Sequence, residues 1–284
     1  MDPFDDLLSR VRAAGAVFGK SALTAPFALR LGAQSALTLC VPLRGEGWVV
    51  AGDERRRLRV GEAAVVLGPQ PFVFTDDPDR AGPVIDAVCE EAEMPQGDTV
   101  LLVGSYGQQV PGRLSRVLPP LLVVPDNGDC APMRDFLESQ LAGLHPGRQI
   151  VLDRLLDWLL VCTLRAWFDA EDPAWYRALG DEVVGPVLQA MHESPDAPWT
   201  LATLAARAGV SRTTLAKRFT DVVGEPPLSY LTDWRMTIAA DLLTRPGATV
   251  SAVATRVGYA DAFGFSAAFK RVRGVSPSAY TQPA

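Results

Sequence analysis

Two short stretches of this chain carry hydrogen-bond donors and cations at helical spacing. In the first, Leu215 and Phe219 stand four apart and belong on the buried face of a helix, which turns Arg212, Thr213, Ala216 and Lys217 outward. Outward Arg and Lys side chains can donate to guanine O6 and N7, and Thr can touch the methyl group of thymine. For any single cation the competing reading is a phosphate contact, which positions a protein on DNA without reading sequence. With Ser211, Thr214 and Arg218 this stretch is a candidate reader of double-stranded DNA. In the second stretch Phe265 and Phe269 repeat the inward pair, leaving Phe263, Gly264, Ser266, Ala267 and Lys270 outward, with Arg271 following. That outer face offers little hydrogen bonding to bases. It is expected to grip phosphates through Ser266, Lys270, Arg271 and Arg273 and to depend on DNA shape. The first stretch should carry most of the sequence specificity.

Both stretches sit in the same local plan. The runs 201–215 and 250–261 each open on a short helical pattern, followed by Gly209 or Gly258, which can turn the chain at positive φ, and by Ser211 or Asp261 as N-caps. Gly224 and Gly274 close the two copies. This is the helix-turn-helix plan, in which the second helix enters the major groove. Residues 227–244, rich in Leu, Tyr, Trp and Ile, read as one long helix joining the copies. At ~1.5 Å per residue it is roughly 25 Å long. Adding the width of the flanking helices approaches the ~34 Å between successive major-groove faces, so one chain can read two adjacent grooves. Residues 182–191 read as the first helix of this domain, with Pro186 in its first turn.

Charge divides the chain as the motifs do. The 284 residues, 48% hydrophobic, suffice for two domains. The net charge of −6 argues against nucleic acid only on average. Residues 199–284 hold ten Arg/Lys against five Asp/Glu, a net of +5, and residues 1–198 hold 17 against 28, a net of −11. DNA contact should be confined to the basic end. The start of the chain lacks the basic region and apolar core of a secretory signal, and the most apolar helical stretch, 151–168, is interrupted by Asp153, Arg154, Asp157 and Arg165. A cytoplasmic protein with no membrane partner is expected.

The acidic half changes character in short units at 27–31, 36–42, 47–51, 57–60, 63–67, 72–74, 84–89 and 100–104, separated by Gly, Pro and Asp. This predicts a small antiparallel barrel or sandwich. Amphipathic helices follow at 132–144 and 148–170. The second repeats Leu152, Leu155, Leu156, Leu159, Leu160 and Leu164, and Trp158 and Trp167 add further apolar surface. It packs on the barrel or also forms a homodimer seam, with Leu156 and Leu160 the residues that would test the seam. A linker is expected at 171–180, between domains spanning 1–170 and 181–284. Cys40, Cys89, Cys130 and Cys162 form no CxxC pair and read as structural thiols.

The C-terminal motifs resemble the AraC/XylS family of transcription regulators over about residues 180–281. The resemblance rests on Leu204-Ala205, Gly209-Val210-Ser211, Leu215, Arg218-Phe219, Gly224, Pro227, Tyr230-Leu231 and Arg235. It continues through Ala254, Val257-Gly258-Tyr259, Phe265, Phe269-Lys270, Gly274, Ser276-Pro277 and Tyr280. It implies recognition helices at 211–222 and 261–272, favours a base contact for Lys217, and marks Ala267 as a departure from the larger polar or basic side chain common there. The N-terminal half resembles the cupin-type sensor domains of one branch of that family, through Asp2-Pro3, Leu7-Leu8, Val17-Phe18-Gly19, Gly47-Trp48, Gly61-Glu62-Ala63, Val66-Leu67-Gly68-Pro69, Leu118-Pro119-Pro120-Leu121-Leu122 and Asp153-Arg154-Leu155. The implied fold is an N-terminal all-β cupin-like barrel with following α-helices, then an all-α domain with two helix-turn-helix motifs joined by a long helix.

Enzymatic cupins hold a metal with clustered His and Glu. Here His145 and His192 both lie outside the barrel pattern. No metal, cofactor or catalytic residue is expected, and the chain is not read as an enzyme. Cys40 and Cys89 could lie near each other, but no neighbouring Lys or His marks an activated thiolate. A small-molecule effector is easier to accommodate, with Phe27, Arg30, Trp48, Phe72 and Phe74 as candidate contacts. The aromatic residues among them also serve as simple core. The expected function is a sequence-specific regulator of promoter DNA, controlled by an effector or by dimerisation, with RNA polymerase as a further partner if it activates. The alternatives are a cupin-type enzyme with an appended DNA-binding domain, or a constitutive regulator whose barrel only dimerises.

Overall fold

Short runs broken by Gly and Pro fold as strands, some burying alternate side chains, as Ala28–Leu31 does, and others buried along nearly their whole length, as Leu37–Arg44 and Thr99–Tyr106 are. A computed structural model describes residues 19–32, 35–79, 84–86, 97–107, 114–125, 136 and 147–280. They fall into one unit ending at Glu171 and another beginning at Asp172.

The first unit contains β1 (Gly19–Leu23), β2 (Ala28–Leu31), β3 (Leu37–Arg44), β4 (Glu46–Ala51), β5 (Glu54–Arg59), β6 (Glu62–Leu67), β7 (Phe72–Thr75), β8 (Ile85–Asp86), β9 (Thr99–Tyr106) and β10 (Leu121–Pro125). They form two five-stranded sheets, ordered β1-β9-β3-β6-β10 and β5-β4-β7-β2-β8. Cys40, Ala64, Val66, Leu101 and Val103 of the first sheet belong to one buried core with Leu29, Val49, Phe72 and Phe74 of the second. Each large apolar side chain buried this way contributes about 1.5–3 kcal/mol. Two strands, β1 and β10, have no counterpart among the expected runs: β1 reads GKSAL, with polar residues at its start, and β10 follows Pro119-Pro120. The expected helix at 132–144 lies outside the described residues, Phe136 apart, and so do residues 87–89 of the expected strand 84–89.

A short helix, α1 (Leu114–Val117), precedes β10, and α2 (Arg148–Glu171) closes the unit. Along α2, Leu152, Leu156, Leu159, Leu160, Leu164 and Phe168 are all at most 3% exposed. The hydroxyl of Tyr106 on β9 donates to the Leu156 carbonyl at 2.8 Å, and a Cβ on Gly104 would stand 3.1 Å from Leu156 Cδ2. The expected seam residues are thus corrected: Leu156 packs on the chain's own sheet, and Leu160 is likewise buried, at 1% exposure. The outward row of α2 is Val151, Leu155, Trp158 and Cys162, with Val151 and Trp158 exposed and the other two half-buried.

The second unit is helical: α3 (Ala174–Leu179), α4 (Val184–Glu193), α5 (Leu201–Arg207), α6 (Arg212–Val223), α7 (Pro227–Leu243), α8 (Val250–Arg256), α9 (Ala262–Arg273) and α10 (Pro277–Tyr280). The segment expected as a linker therefore contains α3. Its buried Ala178 and half-buried Tyr176 and Leu179 give it an apolar side, and it packs on α6. Helix α4 starts two residues later than expected because Asp181 Oδ1 accepts from the backbone N–H groups of Val183 and Val184, each at 2.9 Å. The pairs α5–α6 and α8–α9 are two helix-turn-helix units on either side of α7. Met236, Ala239, Leu243, Val253, Phe265 and Phe269 form the core of the second half.

Candidate nucleic-acid interface

Each recognition helix is fixed at both ends by its own sequence. At the start of α6 the Ser211 hydroxyl accepts from the Thr214 N–H at 3.1 Å, and Asp261 Oδ1 does the same for Gly264 at 2.7 Å on α9. At the ends, Gly224 (φ 87°) and Gly274 (φ 79°) adopt the left-handed conformation that stops a helix and that side chains with a Cβ rarely tolerate. Between these caps the faces separate as the spacing predicted. Leu215, Phe219, Phe265 and Phe269 are fully buried. Ser211, Arg212, Thr213, Thr214 and Lys217 are exposed on α6, and Phe263, Gly264, Ala267, Lys270 and Arg271 on α9.

Three of the expected contact residues are placed differently. Arg218 is exposed but turns to Asp181, donating to Oδ2 from Nε at 3.1 Å and from Nη2 at 2.7 Å. Burial of Asp181 opposes its charge, yet the Arg218 hydrogen bond and the two backbone N–H groups prevail and hold its carboxyl below the ordinary range. The Ser266 hydroxyl donates back to the Ala262 carbonyl at 2.7 Å. Arg273 is half-buried and donates from Nη2 to Thr237 Oγ1 on α7 at 2.8 Å.

The two halves are tied by a contact that no motif spacing announces. Arg235 on α7 donates from Nε to the Pro195 carbonyl at 2.6 Å and from Nη2 to the Ala197 carbonyl at 2.8 Å, fastening the α4–α5 loop. The same guanidinium lies 5.9 Å from the ring centroid of Tyr259, in the turn before α9. Burial holds the Arg235 pKa below its ordinary value and that of Tyr259 above it. Gly258 (φ 81°) completes the joint, because a Cβ there would fall 2.6 Å from the Asp196 carbonyl oxygen. Nearby, His192 Nε2 and the Tyr230 hydroxyl are 2.8 Å apart in a buried stack with Trp234. An Arg between the buried Trp234 and Met236 is a signal of a buried charge needing acceptors, but its partners, some 40 residues away, are not readable from sequence.

The five candidate effector residues do not converge. Phe72 and Phe74 point into the sandwich, where Phe27 stacks on Phe74 at 5.6 Å. Arg30 and Trp48 occupy the alternate, outward positions of β2 and β4, between buried neighbours Leu29 and Leu31 or Gly47 and Val49. Strand alternation puts the two sets on opposite faces of one sheet. The outer face also carries Arg55, Arg57 and Arg59, in ion pairs with Asp79 and Glu46. Cys40 is buried in the core, which pushes its thiol pKa far up, whereas the expected proximity to Cys89 lies outside the described residues. Among the described residues no helix is long and apolar enough to cross a membrane, and no three His, Cys, Asp or Glu converge as metal ligands do.

Residues 2–169 match the cupin family and residues 204–282 the helix-turn-helix domain family. A protein of Streptomyces lividans described as an AraC-like transcription regulator is 33% identical, the match covering 99% of this chain and 98% of that one. A second AraC-like regulator, from Streptomyces antibioticus, is 31% identical over the same shares. The crystallised DNA-binding domain of the global transcriptional factor AdpA, in complex with a target DNA, is 32% identical, with a TM-score of 0.32, over 34% of this chain and 89% of that one. The chain belongs to the AraC-like transcription regulators, DNA-binding proteins that here combine a cupin domain with a helix-turn-helix domain.

Proposed function

We propose that a single chain lays α6 and α9 into successive major-groove faces of promoter DNA, with α7 as the spacer. The observation that carries this reading is the division of each helix into a fully buried aromatic or leucine face and an exposed face holding the donors and cations. On α6, Arg212, Thr213 and Lys217 read base edges while Ser211 and Thr214 place the helix N-terminus near a phosphate. On α9, Lys270 and Arg271 hold phosphates. Arg218 and Arg273 act within the domain, since both are engaged by other elements of the fold.

Regulation enters through association of two chains along the outward row of α2, Val151, Leu155, Trp158 and Cys162. These lie three or four residues apart, forming a seam on a helix whose other face is committed to the sheet. The domain acts here as a dimerisation and regulatory module, not as an enzyme. A small effector held jointly by Phe27, Arg30, Trp48, Phe72 and Phe74 does not suit their division between two faces.

Selection of genomic fragments by the purified protein at fixed salt tests the DNA reading. A recurrent two-element site with elements about one helical turn apart is expected, and fragments no more enriched than random DNA would overturn it. Repeating the selection with metabolite extract tests for an effector elsewhere in the chain.

A further inference from the structure

Alignment of the two recognition helices by their caps exposes a difference in chemistry. With Ser211 matched to Asp261 and Gly224 to Gly274, Thr213 corresponds to Phe263, Thr214 to Gly264 and Lys217 to Ala267. Where α6 offers hydroxyls and an ammonium group, α9 therefore offers a phenyl ring, bare backbone and a methyl. Phe263 is 87% exposed, more than any other large apolar side chain described. Gly264 is required by neither backbone conformation nor crowding: a Cβ there would meet only the Asp261 carboxylate, at 3.6 Å. Glycine within a helix costs about 1 kcal/mol relative to alanine. Its presence leaves a flat apolar strip beside the ring, next to Ala267, which is also exposed. Lys270 and Arg271, one turn further on, supply the charge that draws this face to DNA.

An apolar strip cannot pair with the donors and acceptors of base edges. The apolar group on the major-groove edge of a base pair is the C5 methyl of thymine. We infer that Phe263, with Gly264 and Ala267, recognises thymine methyl groups in the second DNA element, giving α9 a direct readout alongside its phosphate contacts. This rests on the reading of α9 as a groove-entering helix.

The test uses the full chain and the two-element site found by selection. Thymines of the second element are replaced one at a time by deoxyuridine, which removes only the methyl. Binding is measured at fixed salt. The parent protein should lose about fourfold in affinity per contacted methyl, the ratio that corresponds to roughly 0.8 kcal/mol per buried methylene-sized group. Phe263→Ala should bind thymine and deoxyuridine duplexes equally while keeping its preference at the first element, and Phe263→Leu should retain part of the difference. Lys217→Ala should leave the deoxyuridine effect intact. An unchanged unfolding midpoint for Phe263→Ala separates loss of contact from loss of fold. Equal binding of both duplexes by the parent, with selectivity at the first element preserved, would overturn methyl recognition alone. A deoxyuridine effect that persists in Phe263→Ala would overturn the assignment to this residue, and loss of selectivity at both elements would overturn the DNA reading itself.

Discussion

Replacing Arg235 by Ala removes the joint between the two halves of the DNA-binding domain. The guanidinium makes hydrogen bonds of 2.6 and 2.8 Å to the Pro195 and Ala197 carbonyls and lies over Tyr259. A hydrogen bond from a charged donor contributes about 1.5–3 kcal/mol when buried. The side chain is half-buried, so water can replace part of each bond, and about 1 kcal/mol apiece is the better figure. The contact with Tyr259 adds roughly 0.5–1 kcal/mol. The expected loss is therefore about 2.5–3 kcal/mol, or roughly a 0.8–3 M fall in the urea midpoint for a slope of ~1–3 kcal/mol/M. Urea unfolding of the full chain should be followed by amide exchange at residues 194–199 and 258–259, which reports on this joint. Arg235→Lys should recover less than half, because one ammonium group cannot span both carbonyls in the planar fork. A second readout is spacing: the parent should prefer one separation of the two DNA elements, and the Ala variant should tolerate an inserted base pair with a smaller penalty. An Ala variant within about 0.5 kcal/mol of the parent, with unchanged exchange and unchanged spacing preference, would refute the reasoning.

Asp181→Asn should cost about 1 kcal/mol at neutral pH through the lost ion pair with Arg218. Because the folded-state carboxyl pKa is held below its unfolded value, that stability is present above the unfolded pKa and disappears as pH falls through the folded one; denaturation curves of parent and variant should converge in acid. Lys217→Ala should weaken binding to the selected site relative to random DNA by about 1–3 kcal/mol, whereas Lys270→Ala should weaken both alike and flatten the salt dependence. Trp158→Asp with Leu155→Asp should halve the mass measured in solution. The same change at Leu156 and Leu160 should instead unfold the first unit, since both are buried, at most 1% exposed.

The recognition helices were legible because their signals are local: an N-cap, an inward pair four residues apart and a closing glycine fix each helix within fourteen residues. Strands such as β6 and β7 were legible through their apolar runs. What sequence could not supply was partnership across distance. Arg218 carries the same charge as Lys217 and stands beside it, but Asp181, 37 residues earlier, claims one and not the other. Leu155 and Leu156 are chemically identical, yet a rotation of about 100° along the helix leaves one half-buried and buries the other under Tyr106. The effector candidates divide between two faces for a related reason. Aromatic content drew Trp48 together with Phe72 and Phe74, while the register of β4 against β7 pairs Val49 with the inward Phe74 and so turns Trp48 to the other face.

The position of α3 makes the two halves of the DNA-binding domain mechanically unequal. The polypeptide leaving Glu171 runs directly into α3, which rests on α6, and then into Asp181, which grasps Arg218 on that same helix. A pull or twist applied at this junction is thus delivered to α6 within ten residues, but must cross α7 and the Arg235 joint before it reaches α9. If the proposed regulation acts through this junction, the strain would be felt as altered discrimination at the first DNA element before it is felt as release of the second.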